Sequence, residues 1–124
     1  MQLSHERPDY PYSLRTANGH SATVNDQVLQ RSFILTPSVL QTDWPAVAAE
    51  ALDPAALQPL LALEPEIVLL GTGARQVFPP AEAMAACLTR GVGIEVMANA
   101  AAARTFHILA GEGRRVVAGF ILQA

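Results

Sequence analysis

An unbroken apolar run, Ile67-Val68-Leu69-Leu70, stops at Gly71-Thr72-Gly73, and a second strand-like segment, Gly93-Ile94-Glu95-Val96-Met97, begins about one helix-length later. A run without polar alternation reads as a strand covered on both faces, and paired glycines at its end read as a tight loop. Between the two segments, Pro79-Pro80 opens a helix that runs through Arg90 and closes at Gly91. Two strands separated by a helix cannot form a hairpin; they pair in parallel through a right-handed crossover. The pattern therefore predicts an α/β domain in which Gly71-Thr72-Gly73 and Met97-Ala98-Asn99 lie side by side at the carboxyl edge of a sheet, where such folds place ligands. The residues that would line a site there are Gly71, Thr72, Gly73, Gln76, Glu95, Met97, Asn99 and Arg104.

The remainder of the chain supplies the rest of one domain. Residues 1–18 hold Pro8, Pro11 and an Asp-Tyr-Pro-Tyr stretch without a periodic apolar face, which predicts an extended or disordered amino-terminal arm ahead of a domain over 19–124. Ala22-Thr23-Val24, a polar turn at Asn25-Asp26-Gln27 and Val28-Leu29 read as a hairpin, followed by a strand Ser32–Thr36 that Pro37 ends. Asp53-Pro54 is a helix start, with Asp53 as N-cap and proline in the first turn, for a helix running to about Leu63. Asn99 is positioned to cap a third helix, Ala100 to about Ala110, stopped by Gly111 and Gly113, before a last strand from Val116 to Leu122.

At 124 residues the chain can bury roughly two thirds of its unfolded surface, so one core suffices without disulfide or metal. Its 51% apolar content is spread over alanines and short aliphatic runs, none near the ~20 residues of a membrane span. The start of the chain carries no apolar signal-like core, so a cytoplasmic protein without membrane insertion is expected. A net charge of −3 argues against nucleic acid as a partner. Every basic residue is an arginine; without lysine the chain offers neither a Schiff-base nucleophile nor a P-loop.

The chemically suggestive residues each have a structural role that competes with the catalytic one. Gly71-Thr72-Gly73 with Glu95 downstream resembles part of a dinucleotide fingerprint, but Gln76 stands where the third glycine belongs and Val77–Pro80 delays the helix that would meet a pyrophosphate. Cys87 shares a helix face with Met84, Leu88 and Gly91, which places it in the core. His5, His20 and His107 have no metal-ligand spacing, and no Gly-x-Ser-x-Gly elbow occurs. Glu95 interrupts an apolar strand; if that strand is central, its carboxylate is buried and needs Arg104 or nearby backbone N–H groups as partner. The small side chains of Ala100–Ala103 would let an anion approach the helix start. No metal and no cofactor is expected.

Leu70-Gly71-Thr72-Gly73, Gln76, Phe78-Pro79-Pro80, Gly91-x-Gly93-x-Glu95-Val96-Met97, Ala101-Ala102-x-Arg104-Thr105 and Glu112-Gly113-Arg114-Arg115-Val116 together resemble the Mth938-like domain family. The likeness runs from about Gly19 to Leu122 and includes the Ser32–Pro37 strand and Trp44. It implies a single three-layer α/β domain, a mixed sheet with helices on one side and a hairpin or further helix on the other. Relatives of the family include a mitochondrial assembly factor of respiratory complex I. The chain departs from the family pattern at Ala98 and Asn99, where Asp and Thr are usual, and at Ala103, where Cys is frequent. The expectation is an interaction or assembly-factor-like module without catalysis, a monomer or weak homodimer that engages a partner protein through exposed loops and a sheet edge. The alternative is a small-molecule or anion site, of a binding protein or of an enzyme, at the carboxyl ends of the parallel strands.

Overall fold

The structure, a computed structural model, describes residues 10–123. Three short strands, β1 (Leu14–Ala17), β2 (Ala22–Val24) and β3 (Gln27–Leu29), form a small antiparallel sheet in that order. They are followed by β4 (Phe33–Leu35), β5 (Leu40–Gln41), a 3-10 turn at Ala49–Ala51, and α1 (Pro54–Leu61). The chain then runs through β6 (Ile67–Gly71), α2 (Ala81–Leu88), β7 (Gly93–Met97), α3 (Asn99–Gly111) and β8 (Val116–Phe120). A five-stranded mixed sheet takes the order β5-β4-β8-β6-β7. β6 pairs in parallel with both β7 and β8, whereas β4 is antiparallel to β8 and to β5.

Handedness then sorts the helices. The step from β6 to β7 moves one strand outward, and the step from β7 to β8 returns past β6 to its other side. Two right-handed crossovers in opposite directions must lie on opposite faces of the sheet. Accordingly α3 packs with the small sheet on one face, where Ala102, Phe106, Leu14, Ala22 and Val24 meet Phe33, Leu69 and Phe120. The other face carries α1, α2 and Trp44, with Leu57, Leu60 and Cys87 against Ile34, Val68 and Leu70. Successive residues of β4, β6 and β8 thus alternate between two apolar layers, which is why these strands have no polar positions. The rings of Phe33 and Phe120 stack at 5.1 Å between centroids across the β4–β8 pair.

Local signals act as their chemistry dictates. Asp53 Oδ1 accepts the Ala56 N–H at 2.9 Å and caps α1. Asn25, in the β2–β3 turn, adopts a φ of 54°, a region asparagine tolerates. The Trp44 ring lies against Gly119, where a Cβ would come within 2.8 Å of it, and its indole N–H donates to the Ala56 carbonyl at 2.9 Å.

Four expectations need correction. Of the arm expected over 1–18, residues 1–9 lie outside the described residues; Leu14–Ala17 is extended but not loose, since it pairs with β2 and buries Leu14 and Ala17 under α3. α1 ends at Leu61 and α2 at Leu88, each about one half-turn short of the expected end. Leu88, expected in the core with Cys87, is exposed because it follows the buried Ala83 and Cys87 around to the outer side of α2. Asn99 is the first residue of α3, preceded by Ala98 as N-cap, and makes no cap bond.

Candidate functional site

The crossover delivers the two loops to one place, as expected. Gly71 is in register with Met97, the Thr72 N–H donates to the Met97 carbonyl at 3.0 Å, and the Asn99 N–H donates to the Gly73 carbonyl at 2.8 Å. Gly71, Thr72, Gly73, Gln76, Met97 and Asn99 therefore form one cluster at the carboxyl end of β6 and β7. What they do there is hold each other.

Asn99 is the hub, with no exposed surface. Its Oδ1 accepts the Gly73 N–H at 3.1 Å, and its Nδ2 donates to the carbonyls of Asn18 at 2.8 Å and Ile121 at 2.9 Å. One side chain thereby ties the β6 loop, the loop before β2 and the end of β8 together. The two glycines are explained by this packing. A Cβ on Gly71 would collide with Asn99 Oδ1 and come within 2.9 Å of the Phe120 ring, and Gly73 has a φ of +104°, where L side chains are strained.

Thr72, 3% exposed, is equally committed. Its hydroxyl donates to the Arg75 carbonyl at 2.6 Å, has the Met97 carbonyl at 3.3 Å, and accepts the Val77 N–H at 3.0 Å. The Met97 sulfur accepts from the Thr105 hydroxyl at 3.4 Å. Gln76 reaches sideways: its Nε2 donates to the Val96 carbonyl at 2.9 Å. Because the Met97 carbonyl faces β6, the neighbouring Val96 carbonyl faces the open side of β7, so Gln76 caps part of a sheet edge.

Glu95 and Arg104 do not join this cluster, contrary to the expected buried pair. β7 is the last strand of the sheet, and both side chains are exposed. No carboxylate of a described residue lies within 4.0 Å of the Arg104 guanidinium; the ion pairs are Arg15–Asp26 and Arg114–Glu66. The physical reason is position: α3 packs chiefly over β6 and β8, leaving the outer side of β7 to water. The expected anion approach to the start of α3 is also restricted, since its first N–H is taken by the Gly73 carbonyl.

Cys87 is buried and its thiol is pushed up by desolvation, opposed weakly by Arg90, which keeps it protonated. His20 sits at the surface with Nδ1 2.9 Å from the Gln123 carbonyl, and His107 is exposed on α3. Among the described residues no group of three acidic, histidine or cysteine side chains could hold a metal ion. No helix among them is long and apolar enough to cross a membrane.

At the opposite end of the parallel strands lies a feature the sequence reading did not single out as a site. Tyr10, Thr36, Leu63, Gly111, Arg114 and Arg115 line part of a cavity of about 490 Å³ beside the start of β8. Here Glu66 Oε1 accepts the Arg115 N–H at 2.9 Å and lies 3.3 Å from Arg114 Nε, while Arg115 Nε donates to the Glu64 carbonyl at 3.2 Å. The Arg115 N–H first, and then Arg114, hold the Glu66 carboxyl below its ordinary range against an opposing desolvation effect. The signal available in the sequence was Gly113-Arg114-Arg115, two adjacent cations after a turn glycine.

Comparison with known proteins agrees with this architecture. The family described as "Protein of unknown function (DUF498/DUF598)" matches residues 15–121. The chain belongs to that family. A solved Xanthomonas campestris protein is 54% identical, with a TM-score of 0.84, over 98% of this chain and 92% of its own. A Bordetella pertussis protein, described as a Mth938-like domain, is 27% identical with a TM-score of 0.80, over 98% of this chain and 92% of its own. The Mth938-like resemblance and the single mixed α/β domain it implied are thus both shown, and no reaction is indicated by these relatives. A Francisella tularensis protein named "13 kDa major membrane protein" is 39% identical over 57 residues. That match spans 46% of this chain and 46% of the relative, about half the length of each.

Proposed function

We propose that this chain is a non-catalytic protein-interaction module that receives an extended segment of a partner protein along the outer edge of β7, with Phe78 as its apolar anchor. The observation that carries the reading is the coincidence of an open strand edge with an exposed aromatic side chain. β7 ends the sheet, its Ile94 and Val96 backbone groups face outward, and among the described residues only the Val96 carbonyl is answered, by Gln76. Phe78, two residues beyond Gln76, is 61% exposed. A strand added at such an edge gains main-chain hydrogen bonds, and aromatic side chains supply a disproportionate share of interface energy. The Thr72 hydroxyl, the Gly73 N–H and the Asn99 amide, by contrast, are spent on internal bonds, and among the described residues these bonds join no nucleophile to a base and no acid to a base. The assembly-factor relatives implied by the family resemblance support the same reading, of which a cytoplasmic location without membrane insertion is a part.

The test is co-purification of the full chain with a defined partner from its native cell, repeated with Phe78→Asp and Ile94→Pro. Because the Ile94 N–H faces outward, proline there removes an edge donor without breaking the β6–β7 ladder. Both variants are expected to fold and to lose the partner. Retention of the partner by both, or substrate turnover abolished by Gln76→Ala in folded protein, would overturn the reading.

A further inference from the structure

We infer that the cavity beside the start of β8 is a binding site for a small monocarboxylate with an apolar aliphatic or aromatic body. It lies at the amino ends of the parallel strands, away from Phe78 and the β7 edge, and the inference does not depend on the function proposed above. Its volume of about 490 Å³ falls within the range of small-ligand sites, about 300–1,000 Å³.

The polar groups around it are biased toward donation. Arg115 has no carboxylate of a described residue within 4.0 Å; its Nε bonds the Glu64 carbonyl, and its terminal N–H groups make no hydrogen bond with a described residue. Glu66 sets its one negative charge against both arginines, 3.3 Å from Arg114 Nε and within electrostatic reach of Arg115, so these three groups together leave a single positive charge at the rim. Thr36 is buried and its hydroxyl oxygen already accepts the N–H groups of Ser38 at 3.1 Å and Val39 at 2.8 Å. With both lone pairs engaged, that hydroxyl has only its proton to offer. Tyr10 adds a phenol that partial burial keeps in its protonated, donating form. An anion with acceptor oxygens satisfies such a lining; a cation or a donor-rich ligand does not. Pro37, Val39 and Leu63 supply the apolar wall, which calls for a hydrocarbon body attached to that anion rather than a bare inorganic ion.

The experiment is an amide-shift NMR titration of the full chain with octanoate and phenylacetate, each beside its neutral amide. Saturable shifts confined to Thr36–Val39 and Ala110–Val117 are expected for the acids, with Kd below about 1 mM. Losing one charge-assisted contact should weaken binding about tenfold or more, both for the neutral amides and for Arg115→Gln with the acids. Arg115 is exposed, so this variant retains the fold, which its own spectrum verifies. Tyr10→Phe, which removes only the hydroxyl, should weaken binding about threefold or more. The absence of saturable shifts with both acids, equal binding of the amides, or undiminished binding by Arg115→Gln would each overturn the assignment.

Discussion

Replacing Asn99 by alanine tests whether the carboxyl-end cluster is a structural clamp. The substitution removes an acceptor from the Gly73 N–H and a donor from the carbonyls of Asn18 and Ile121. The Gly73 and Ile121 bonds are buried, whereas the Asn18 carbonyl is partly exposed and water can replace its partner. Leaving a buried polar group unpaired costs about 1–3 kcal/mol, so two such groups put the loss at about 2–6 kcal/mol. Against a total stability of about 5–15 kcal/mol this is a large fraction. For a chain of this size, at about 4 °C per kcal/mol, the midpoint should fall by about 8–24 °C in a thermal melt followed by circular dichroism. Asn99→Asp separates hydrogen bonding from volume: it is nearly isosteric and keeps the acceptor for Gly73, but sets a carboxylate against two carbonyl oxygens. It is expected to cost at least as much as alanine at neutral pH. A drop under about 4 °C for Asn99→Ala would refute the reasoning, since it would mean that the three bonds contribute no more than a single surface contact.

Gly71→Ala should be as damaging, because the added Cβ meets Asn99 Oδ1 and lies within 2.9 Å of the Phe120 ring, both in the core; a parent-like melt would show that this corner can move. Glu95→Gln and Arg104→Ala should each leave the midpoint within about 1 °C, as expected of exposed residues away from special features. A clear destabilisation shared by the two would restore the buried pair. Glu66 predicts a pH dependence. Its carboxyl is depressed in the folded chain, so its stabilising contribution is present above the unfolded pKa and is lost as pH falls through the folded value. Acid titration of stability in Glu66→Gln should therefore show a shallower loss below the ordinary glutamate range, and an acid limb identical to the parent's would contradict the assignment.

The parts of the fold legible in sequence were those governed by local chemistry. The apolar run Ile67–Leu70 and the glycines after it announced a covered strand and a tight loop, Asp53-Pro54 a capped helix, and Asn25-Asp26-Gln27 a hairpin turn; each forms, the turn one residue tighter because Gln27 already pairs with Val24. The errors at Glu95 and Asn99 share one cause, which is that strand order is a long-range property. Whether β7 is central or terminal depends on where β8 inserts, and β8 passes β6 to pair on its far side. That single choice makes β7 an edge and leaves Glu95 in water. It also brings Ile121 beside Asn99, so that an asparagine at a helix start becomes a buried clamp instead of a cap. The cavity at Arg114-Arg115 was illegible for the same reason, since Tyr10, Thr36 and Leu63 meet these arginines only through the tertiary fold.

The topology creates the kind of crevice in which α/β proteins bind ligands and then closes it. The loop leaving β6 turns toward α2 on one face, and the loop leaving β7 turns toward α3 on the other, so the chain parts between their carboxyl ends. In nucleotide-binding sheets that gap exposes helix N–H groups and glycine backbone to a phosphate. Here the first N–H of α3 donates to the Gly73 carbonyl, the Gly73 N–H donates back to Asn99, and the Thr72 hydroxyl is shared among Arg75, Val77 and Met97. A ligand entering would have to replace these bonds before making any of its own, at a cost of about 1–3 kcal/mol for each buried group left unpaired. Among the described residues, free groups lie elsewhere: the outward backbone of β7 next to Phe78, and the terminal N–H groups of Arg115 at the other end of the sheet. The hydrogen bonds that close the crevice thus leave free groups at the two edges of the sheet, and the strand docking and the carboxylate site proposed above each draw on one of them.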